Sequence, residues 1–346
     1  MTLSRALTCT LCLTASSVSF ANTFQYEISG SYSELREEQL VPNSGFSPLP
    51  FSSFGPIELT TQTVETDSKG IAGSYFFSPV DTSRGPLAEA AFLDRASSIT
   101  LNYSDARNID TLGISGLYIN KEHGWIIGAS FSQQDLPFGF GSADRKSLSV
   151  GYYVATNTTI TLDWIDNDNL FSLADEEYIA RVRHFGEFIS GLNYSVSGFF
   201  GTADGNNVDS SDTYGITAIV YPNRRLSFGV GYTDAEIKLA TFSSVIPDDS
   251  LIFSGIDVAF NPTAPFDTAT FSPIQITNRI ENSTYGVFTR WFFNEMSSIT
   301  LAYDRSNRKS RSFISGNTEG VGVGTLNSLN PETDGDLWSI NVNLRF

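Results

Sequence analysis

Three observations predict an all-β chain that forms a transmembrane antiparallel β-barrel of about 14 strands, in a range of roughly 12 to 16, with one short helix. Segments of about ten residues alternate between apolar and polar positions, as half-buried strands do. No stretch after the first 21 residues is apolar for long enough to span a membrane as a helix. The chain ends inside an alternating segment, on Phe346. Because a closed barrel is the other structure that satisfies its backbone in lipid, these observations together favour it.

The N-terminus is predicted to be a signal peptide at residues 1–21, followed by the barrel at residues 22–346. Arg5 precedes an apolar stretch, and Ser19-Phe20-Ala21 forms a small-residue cleavage pattern. Both cysteines lie in this leader, so the mature chain would hold no disulfide, thiolate metal site or cysteine nucleophile. Cleavage would remove Arg5 and no acid, which takes the net charge from −17 to −18. This acidity argues against a nucleic-acid partner.

The predicted strands follow one another along the whole mature chain. Their intervening positions are small or polar, which suits the lumen of a membrane barrel, and their aromatic residues gather at strand ends, as in interfacial girdles. Every second connection is short and the others are mostly longer and acidic, so both termini are expected in the periplasm. The segments are 24–32, 71–77, 99–103, 112–118, 125–131, 148–154, 160–164, 178–182, 192–196, 214–220, 226–232, 285–293, 299–303 and 337–346.

The last segment, 337–346, resembles the closing strand of bacterial outer-membrane β-barrels. In those proteins the final strand and its terminal aromatic residue form the signal that the barrel-assembly machinery reads, so Phe346 is the predicted assembly signal. The resemblance implies export to the outer membrane of a Gram-negative bacterium, in contact with outer-membrane lipid and lipopolysaccharide.

One short connection is replaced by a predicted helix of about two turns on the periplasmic side. Pro86 suits the first turn of a helix, and Ala and Leu are strong helix formers. Glu89 lies near the N-terminus of the predicted helix, where a negative charge interacts favourably with the helix dipole. The run Gly85-Pro-Leu-Ala-Glu-Ala-Ala-Phe-Leu-Asp-Arg95, after Tyr75-Phe-Phe-Ser-Pro79, resembles a family of putative porins from proteobacteria. That resemblance implies an outer-membrane barrel.

Strand alternation places a group of charged side chains toward the predicted lumen. A charge on the lipid face at mid-membrane costs roughly 2–4 kcal/mol for Arg, so inward placement is favoured. These residues either set ion preference by acting on permeant charge or pair with lumen acids and tie the wall together. The pore-lining candidates are Asp163, Glu177, Arg181, Arg183, Arg225 and Arg290, and Arg345 follows the same logic.

The connection 234–278 is long and apolar for a plain loop. It either folds into the mouth as a constriction, or packs outside the barrel or adds a hairpin. The candidate rim charges are Asp248, Asp249, Asp257 and Asp267. Arg305, Arg308, Lys309 and Arg311 are expected in the next external loop, as partners of those acids, as a solvated patch or as a contact for lipopolysaccharide phosphates.

Catalysis, cofactors and metals are not predicted. His123 and His184 both fall at the periplasmic end without an evident Ser or Asp partner. The oxygen-rich stretches 166–168 and 204–209 lack the closing Glu of a calcium loop, so they are expected to be solvated turns.

The predicted function is a passive diffusion channel for small hydrophilic solutes or ions. Barrels of eight strands fill with their own side chains and those of sixteen or more hold an aqueous channel, so about fourteen strands should leave a narrower lumen. The alternative is a closed or plugged barrel that acts as a surface scaffold or adhesin. A soluble secreted β-sandwich would leave the terminal Phe unexplained. The chain could also form a homo-oligomer.

Overall fold

The computed structural model describes residues 23–42, 59–106, 109–135, 141–168, 175–205, 208–239, 242–244, 274–315 and 332–346. These residues form fifteen antiparallel strands, of which fourteen make a closed wall and one short strand, β12, extends the edge of β13. The strands are β1 Thr23–Pro42, β2 Leu59–Asp81, β3 Ser98–Ala106, β4 Ile109–Ile119, β5 Trp125–Asp135, β6 Ser142–Ala155, β7 Thr158–Asp168, β8 Glu176–Glu187, β9 Asn193–Gly205, β10 Val208–Asn223, β11 Leu226–Leu239, β12 Phe242–Ser244, β13 Ile274–Phe292, β14 Ser297–Ser315 and β15 Glu332–Arg345.

Each wall strand pairs with its neighbour in sequence, and two further pairings close the ring. β11 pairs with β13, with Tyr232 opposite Tyr285, and β1 pairs with β15, with Glu27 opposite Arg345. Since closure removes every free strand edge, the backbone is satisfied all the way around. The predicted fold class and strand number are confirmed, and each of the fourteen predicted segments overlaps one wall strand.

The barrel is apolar on its outside and polar within. In β7, Leu162 is 52% exposed on the outer face, whereas Asp163 points inward. Inside the wall, small polar side chains bond across strands, as Ser130 does to Ser147 at 2.7 Å. Apolar side chains left in contact with the surroundings are what a lipid-facing surface requires. Those of the outer face include Leu101, Leu112, Ile127, Leu148, Leu162, Val182, Ile216, Val230, Val287 and Leu301.

Aromatic side chains form two belts around this apolar band. Near the end that holds Thr23 and Phe346, here called the terminal end, Trp125 contacts Tyr152 with ring centroids 5.3 Å apart. Near the opposite, distal end, Tyr303 contacts Trp338 at 4.5 Å and donates its hydroxyl to Asp336 at 2.6 Å. Aromatic rings with wet hydroxyls mark the two levels where lipid gives way to water.

Connections at the terminal end are mostly tight turns. They lie at 120–124, 156–157, 188–192, 224–225 and 293–296, with the longer connection at 82–97. In the first turn Gly124 adopts a φ of +77°, a conformation that glycine reaches without strain, and donates its N–H to the carbonyl of Asn120. The connection between the predicted segments 178–182 and 192–196 lies at 188–192, because β8 continues through Glu187.

At the distal end the strands run further than expected. Residues 202–212 are mostly strand, with β9 and β10 paired to within two residues of each other. Arg305, Arg308, Lys309 and Arg311 lie within β14 and not in a loop. Backbone pairing continues beyond the lipid, where the outward-facing residues of a strand no longer have to be apolar.

The predicted helix is confirmed as a 3-10 turn at Leu87–Glu89 followed by α1, Ala90–Leu93. Pro86 stands just before it with a φ of −59°. Within the described residues, no helix has the length and apolar character needed to cross a membrane.

Candidate functional site: the lumen and its terminal end

The connection between β2 and β3, residues 82–97, turns into the barrel and is named here the inward segment. Thr82, Leu87, Glu89 and Ala90 within it are almost fully buried. Its apolar residues are stabilised by removal from water, and the inner wall of the barrel at this end covers them.

On the near side, the inward segment packs against the wall that carries it. Ala90 and Ala96 join Phe24, Phe76 and Val80 in one buried cluster. Phe24 and Phe76 meet edge to face at 5.3 Å, a favourable aromatic geometry. This cluster anchors the segment to β1 and β2.

A second contact joins the segment to β4, β5 and β6. Phe92 packs against the buried cluster of Ile119, Ile126 and Tyr153. The Tyr153 hydroxyl donates to the carbonyl of Phe92 at 3.0 Å, and the Arg95 guanidinium lies 4.4 Å from the centre of the Tyr153 ring. The segment is thereby held by packing, a hydrogen bond and a cation–π contact.

The far side of the segment is bound through Glu89, which is only 2% exposed. One carboxylate oxygen lies 2.5 Å from Nη2 of Arg183 on β8. The other accepts a hydrogen bond from the hydroxyl of Tyr221 on β10. β8 stands six strands away from β2 around a ring of fourteen, so this contact reaches nearly straight across the lumen. A buried carboxylate needs such partners on both oxygens.

Two arginines complete the attachment at the end of the barrel. Arg345 on β15 donates Nη1 to the carbonyl of Leu87 at 2.9 Å and Nε to Glu27 at 2.7 Å. Arg224 in the turn after β10 donates Nη2 to the carbonyl of Thr82 at 2.6 Å, and the Leu87 N–H donates back to the Arg224 carbonyl at 2.9 Å. The inward segment therefore contacts β1, β2, β4, β5, β6, β8, β10 and β15 at the terminal end.

The predicted pore-lining residues of β7 and β8 form ion pairs within the wall. Arg181 Nε lies 2.6 Å from Asp163 Oδ2. Glu177 lies 3.3 Å from Nη2 of Arg145 on β6. Together with the pair of Arg183 and Glu89, these contacts resemble the wall-tying arrangement more than a row of free charges.

Two other candidates are placed differently. Arg290 points into the lumen, opposite the exposed Trp291, and donates Nε to Thr300 Oγ1 at 2.8 Å. Arg225 lies exposed in the turn at 224–225, where its N–H donates to Asn223 Oδ1.

Phe346 is half exposed, and its backbone pairs with Tyr26 of β1. The loop acids Asp248, Asp249, Asp257 and Asp267 lie outside the described residues.

Sequence reasoning missed the burial of Glu89 and the contact of Tyr221 with it. Tyr221 follows the predicted segment 214–220, but β10 continues to Asn223 and the ring is buried against Glu89. An acid set within a short Ala- and Leu-rich run was the available signal for a buried carboxylate, since such a run cannot stay in water without cost.

The two histidines lie at the terminal end. His184 Nδ1 lies 2.8 Å from Thr158 Oγ1, and His123 is exposed in the turn at 120–124. Across the described part of the chain, no three His, Cys, Asp or Glu side chains gather as a metal site.

Comparisons with known proteins agree with this architecture. The family model described as "Putative general bacterial porin" matches residues 50–195, a stretch that includes the inward segment. The outer membrane protein Omp33 of Acinetobacter baumannii superposes with a TM-score of 0.51 at 17% identity, covering 94% of this chain and 99% of that one. The chain is a porin-like outer-membrane β-barrel. A search of curated proteins found no match.

Weaker structural likenesses reach a hydrocarbon channel and another outer-membrane protein. The TodX deltaS2S3 mutant monoaromatic hydrocarbon channel gives a TM-score of 0.47 at 12% identity, covering 93% of this chain and 91% of that one. OmpT, an outer membrane protein of Vibrio cholerae, gives a TM-score of 0.37 at 8% identity, covering 96% of this chain and 100% of that one.

The family match and the fold together confirm the predicted resemblance, the location in the outer membrane of a Gram-negative bacterium, and the general function of a diffusion channel. The terminal end is accordingly the periplasmic end, and the outer face contacts outer-membrane lipid and lipopolysaccharide.

Proposed function

We propose that this porin-like barrel passes small hydrophilic solutes passively, and that the inward segment is its constriction. The contact of Glu89 with Arg183 and Tyr221 supports this proposal most directly, because it joins opposite sides of the lumen at the periplasmic end. A ring of fourteen strands leaves room for water, and a segment that crosses the ring reduces that room.

The constriction favours small and polar solutes for two reasons. The inward segment occupies cross-section, which sets a size limit. Lumen-facing groups such as Ser130, Ser147, Thr100 and Ser74 bond to one another in the wall and present hydroxyls to water. An apolar solute would find few apolar contacts on this surface.

Single-channel recording of the refolded mature chain in a planar lipid bilayer tests the proposal. Wild type should give stepwise, ohmic currents of small amplitude. A variant in which residues 83–95 are replaced by a short Gly-Ser turn should give clearly larger steps, with heat-modifiable migration on a gel as proof that it folds. Equal step sizes in the two proteins would rule out the inward segment as the constriction. A folded variant that inserts but carries no current would instead favour a closed scaffold or adhesin.

The proposal extends to assembly and processing. Phe346 and the strand that it ends are proposed as the feature read by the barrel-assembly machinery, and residues 1–21 as a cleaved signal peptide. Deletion of Phe346 should lower the amount of barrel in outer membranes while leaving detergent refolding intact. Equal amounts in the membrane would remove Phe346 from that role.

The quaternary and catalytic states are part of the proposal too. We propose a channel without enzymatic activity, supported by the position of His123 and His184 at the periplasmic end. The protein could function as a monomer or as a homo-oligomer, and light scattering in detergent distinguishes the two.

A further inference from the structure

Arg290 differs from three other arginines that face the lumen. Arg181, Arg183 and Arg345 each have a carboxylate oxygen within 2.7 Å, from Asp163, Glu89 and Glu27. Among the described residues Arg290 makes no ion pair, although its side chain is mostly buried in the wall.

Among the described residues, the hydrogen bond from Arg290 to Thr300 leaves the outer edge of the guanidinium without a partner. Nε donates to Thr300 Oγ1 at 2.8 Å, so the two terminal nitrogens remain as a planar pair of donors. That edge has the geometry that binds both oxygens of a carboxylate, or two oxygens of a phosphate, at once.

The surroundings of Arg290 are polar and aligned across several strands. Strand register places Ser227, Arg290, Thr300 and Asn341 side by side on the lumen face of β11, β13, β14 and β15. Ser298 lies two residues before Thr300 on β14, nearer the periplasmic end. Its hydroxyl and Asn341 Oδ1 are buried without a hydrogen-bond partner among the described residues. A buried group of this kind calls for a partner that arrives from elsewhere. A hydroxyl can donate to an anion, and a side-chain amide can present its NH₂ to one after a flip.

The local charge is positive in spite of the acidic chain. Arg290 lies close enough to Arg345, Glu27 and Glu89 to interact with their charges. With Arg183, which pairs with Glu89, the group holds three guanidinium ions against two carboxylates and keeps one net positive charge. A positive charge within a low-dielectric wall attracts anions from the lumen.

We propose that Arg290 and its polar neighbours Thr300, Asn341 and Ser298 form an anion-binding site, which takes the carboxylate or phosphate group of small solutes on their way through the lumen. This inference rests on the proposed function, because it needs solutes that enter the barrel. It names their class: small oxyanions bind here before they pass the inward segment.

Two measurements on the refolded mature chain test the site, one of which needs no current. The first is the reversal potential in a potassium chloride gradient. The second is the temperature at which the folded band converts to the unfolded band on a gel, with and without sodium malonate or sodium phosphate, because a ligand that binds the folded state raises that temperature. The variants are Arg290→Gln and Arg290→Lys, with Arg305→Gln as the control that makes the same charge change on the exposed outer side of β14.

Arg290→Gln should lower the ratio of chloride to potassium permeability by about threefold, an effect of one lumen charge. Arg290→Lys should keep that ratio but lose the thermal shift, because a lysine retains the charge without the planar pair of donors. Arg305→Gln should keep the wild-type permeability ratio and the wild-type thermal shift. The salt that gives the larger thermal shift, malonate or phosphate, identifies the preferred oxyanion.

Absence of a thermal shift with both salts in wild type, or equal shifts in wild type and Arg290→Gln, would overturn the site while leaving the channel intact. A thermal shift that needs Arg290, in a barrel that passes no current, would support the site and contradict the proposed channel.

Discussion

Truncation of Glu89 to alanine should weaken the attachment of the inward segment to the wall that faces it. Its carboxylate binds Arg183 on β8 and Tyr221 on β10. On the same side, Arg183 also lies over the Phe92 ring and Arg224 donates to the carbonyl of Thr82. The apolar cluster around Ala90 would still hold the segment to β1 and β2. The hydrogen bonds from Tyr153, Arg345 and Arg224 would remain as well. We therefore expect a segment that stays attached to the barrel but moves away from β8 more often than in wild type.

The size of the effect follows from these two contacts. A hydrogen bond to a charged group contributes about 1.5–3 kcal/mol, and a buried donor left without a partner costs about 1–3 kcal/mol. Tyr221 is 2% exposed and would lose its acceptor, whereas Arg183 keeps 39% of its side chain in contact with water and recovers part of its loss. Together they give roughly 3 kcal/mol, or about 100-fold in the ratio of docked to released segment.

Single-channel recording measures that ratio as the frequency of larger conductance steps. Glu89→Ala should show them about 100-fold more often than wild type. Glu89→Gln, which keeps an acceptor for Tyr221 but lacks the charge, should fall between the two. Glu122→Ala is the matched control, because Glu122 is exposed in the turn at the same end. Equal step frequencies for Glu89→Ala and Glu122→Ala, in barrels that both fold, would refute the reasoning.

Three more predictions concern the wall and the leader. Arg345→Ala should destabilise the barrel by about 3–5 kcal/mol, because it leaves the Glu27 carboxylate without its buried partner; an unchanged urea midpoint would contradict this. Leu162→Arg places a charge on the lipid face and should cost roughly 2–4 kcal/mol in lipid vesicles. The same midpoint as wild type would mean that Leu162 does not face lipid. N-terminal sequencing of the exported chain should begin at Asn22, and an intact leader would disprove the predicted cleavage.

The alternation of apolar and polar residues predicted the wall strands, because lipid on one side and water on the other impose that alternation on each strand. Each lipid-facing position must be apolar, as Leu162 and Leu301 are, and each lumen position between them is free to be polar. That constraint ends at the aromatic belts. Beyond Tyr303, β14 continues through Arg305 to Ser315 with mostly charged and polar residues, so the sequence resembles a loop although the backbone stays paired.

The site was predictable only in part, for a different reason. Alternation on one strand is a local property, and it gave the inward direction of Arg183. The partner of Arg183 is set by where the inward segment docks, and Glu89 lies 94 residues away in sequence. The sequence predicts only an acid in the first turn of a helix at Glu89, because nothing local distinguishes that role from a contact across the lumen.

The pairing of β1 with β15 also determines the order in which the barrel can form. The contact of Glu27 with Arg345 spans 318 residues, so the ring is completed by one of the most distant contacts in the chain. A partial sheet of earlier strands would expose two unpaired edges, which invite pairing with other chains. Such non-local closure is slow and prone to aggregation. The unfolded chain must therefore be kept apart from its copies until both ends meet.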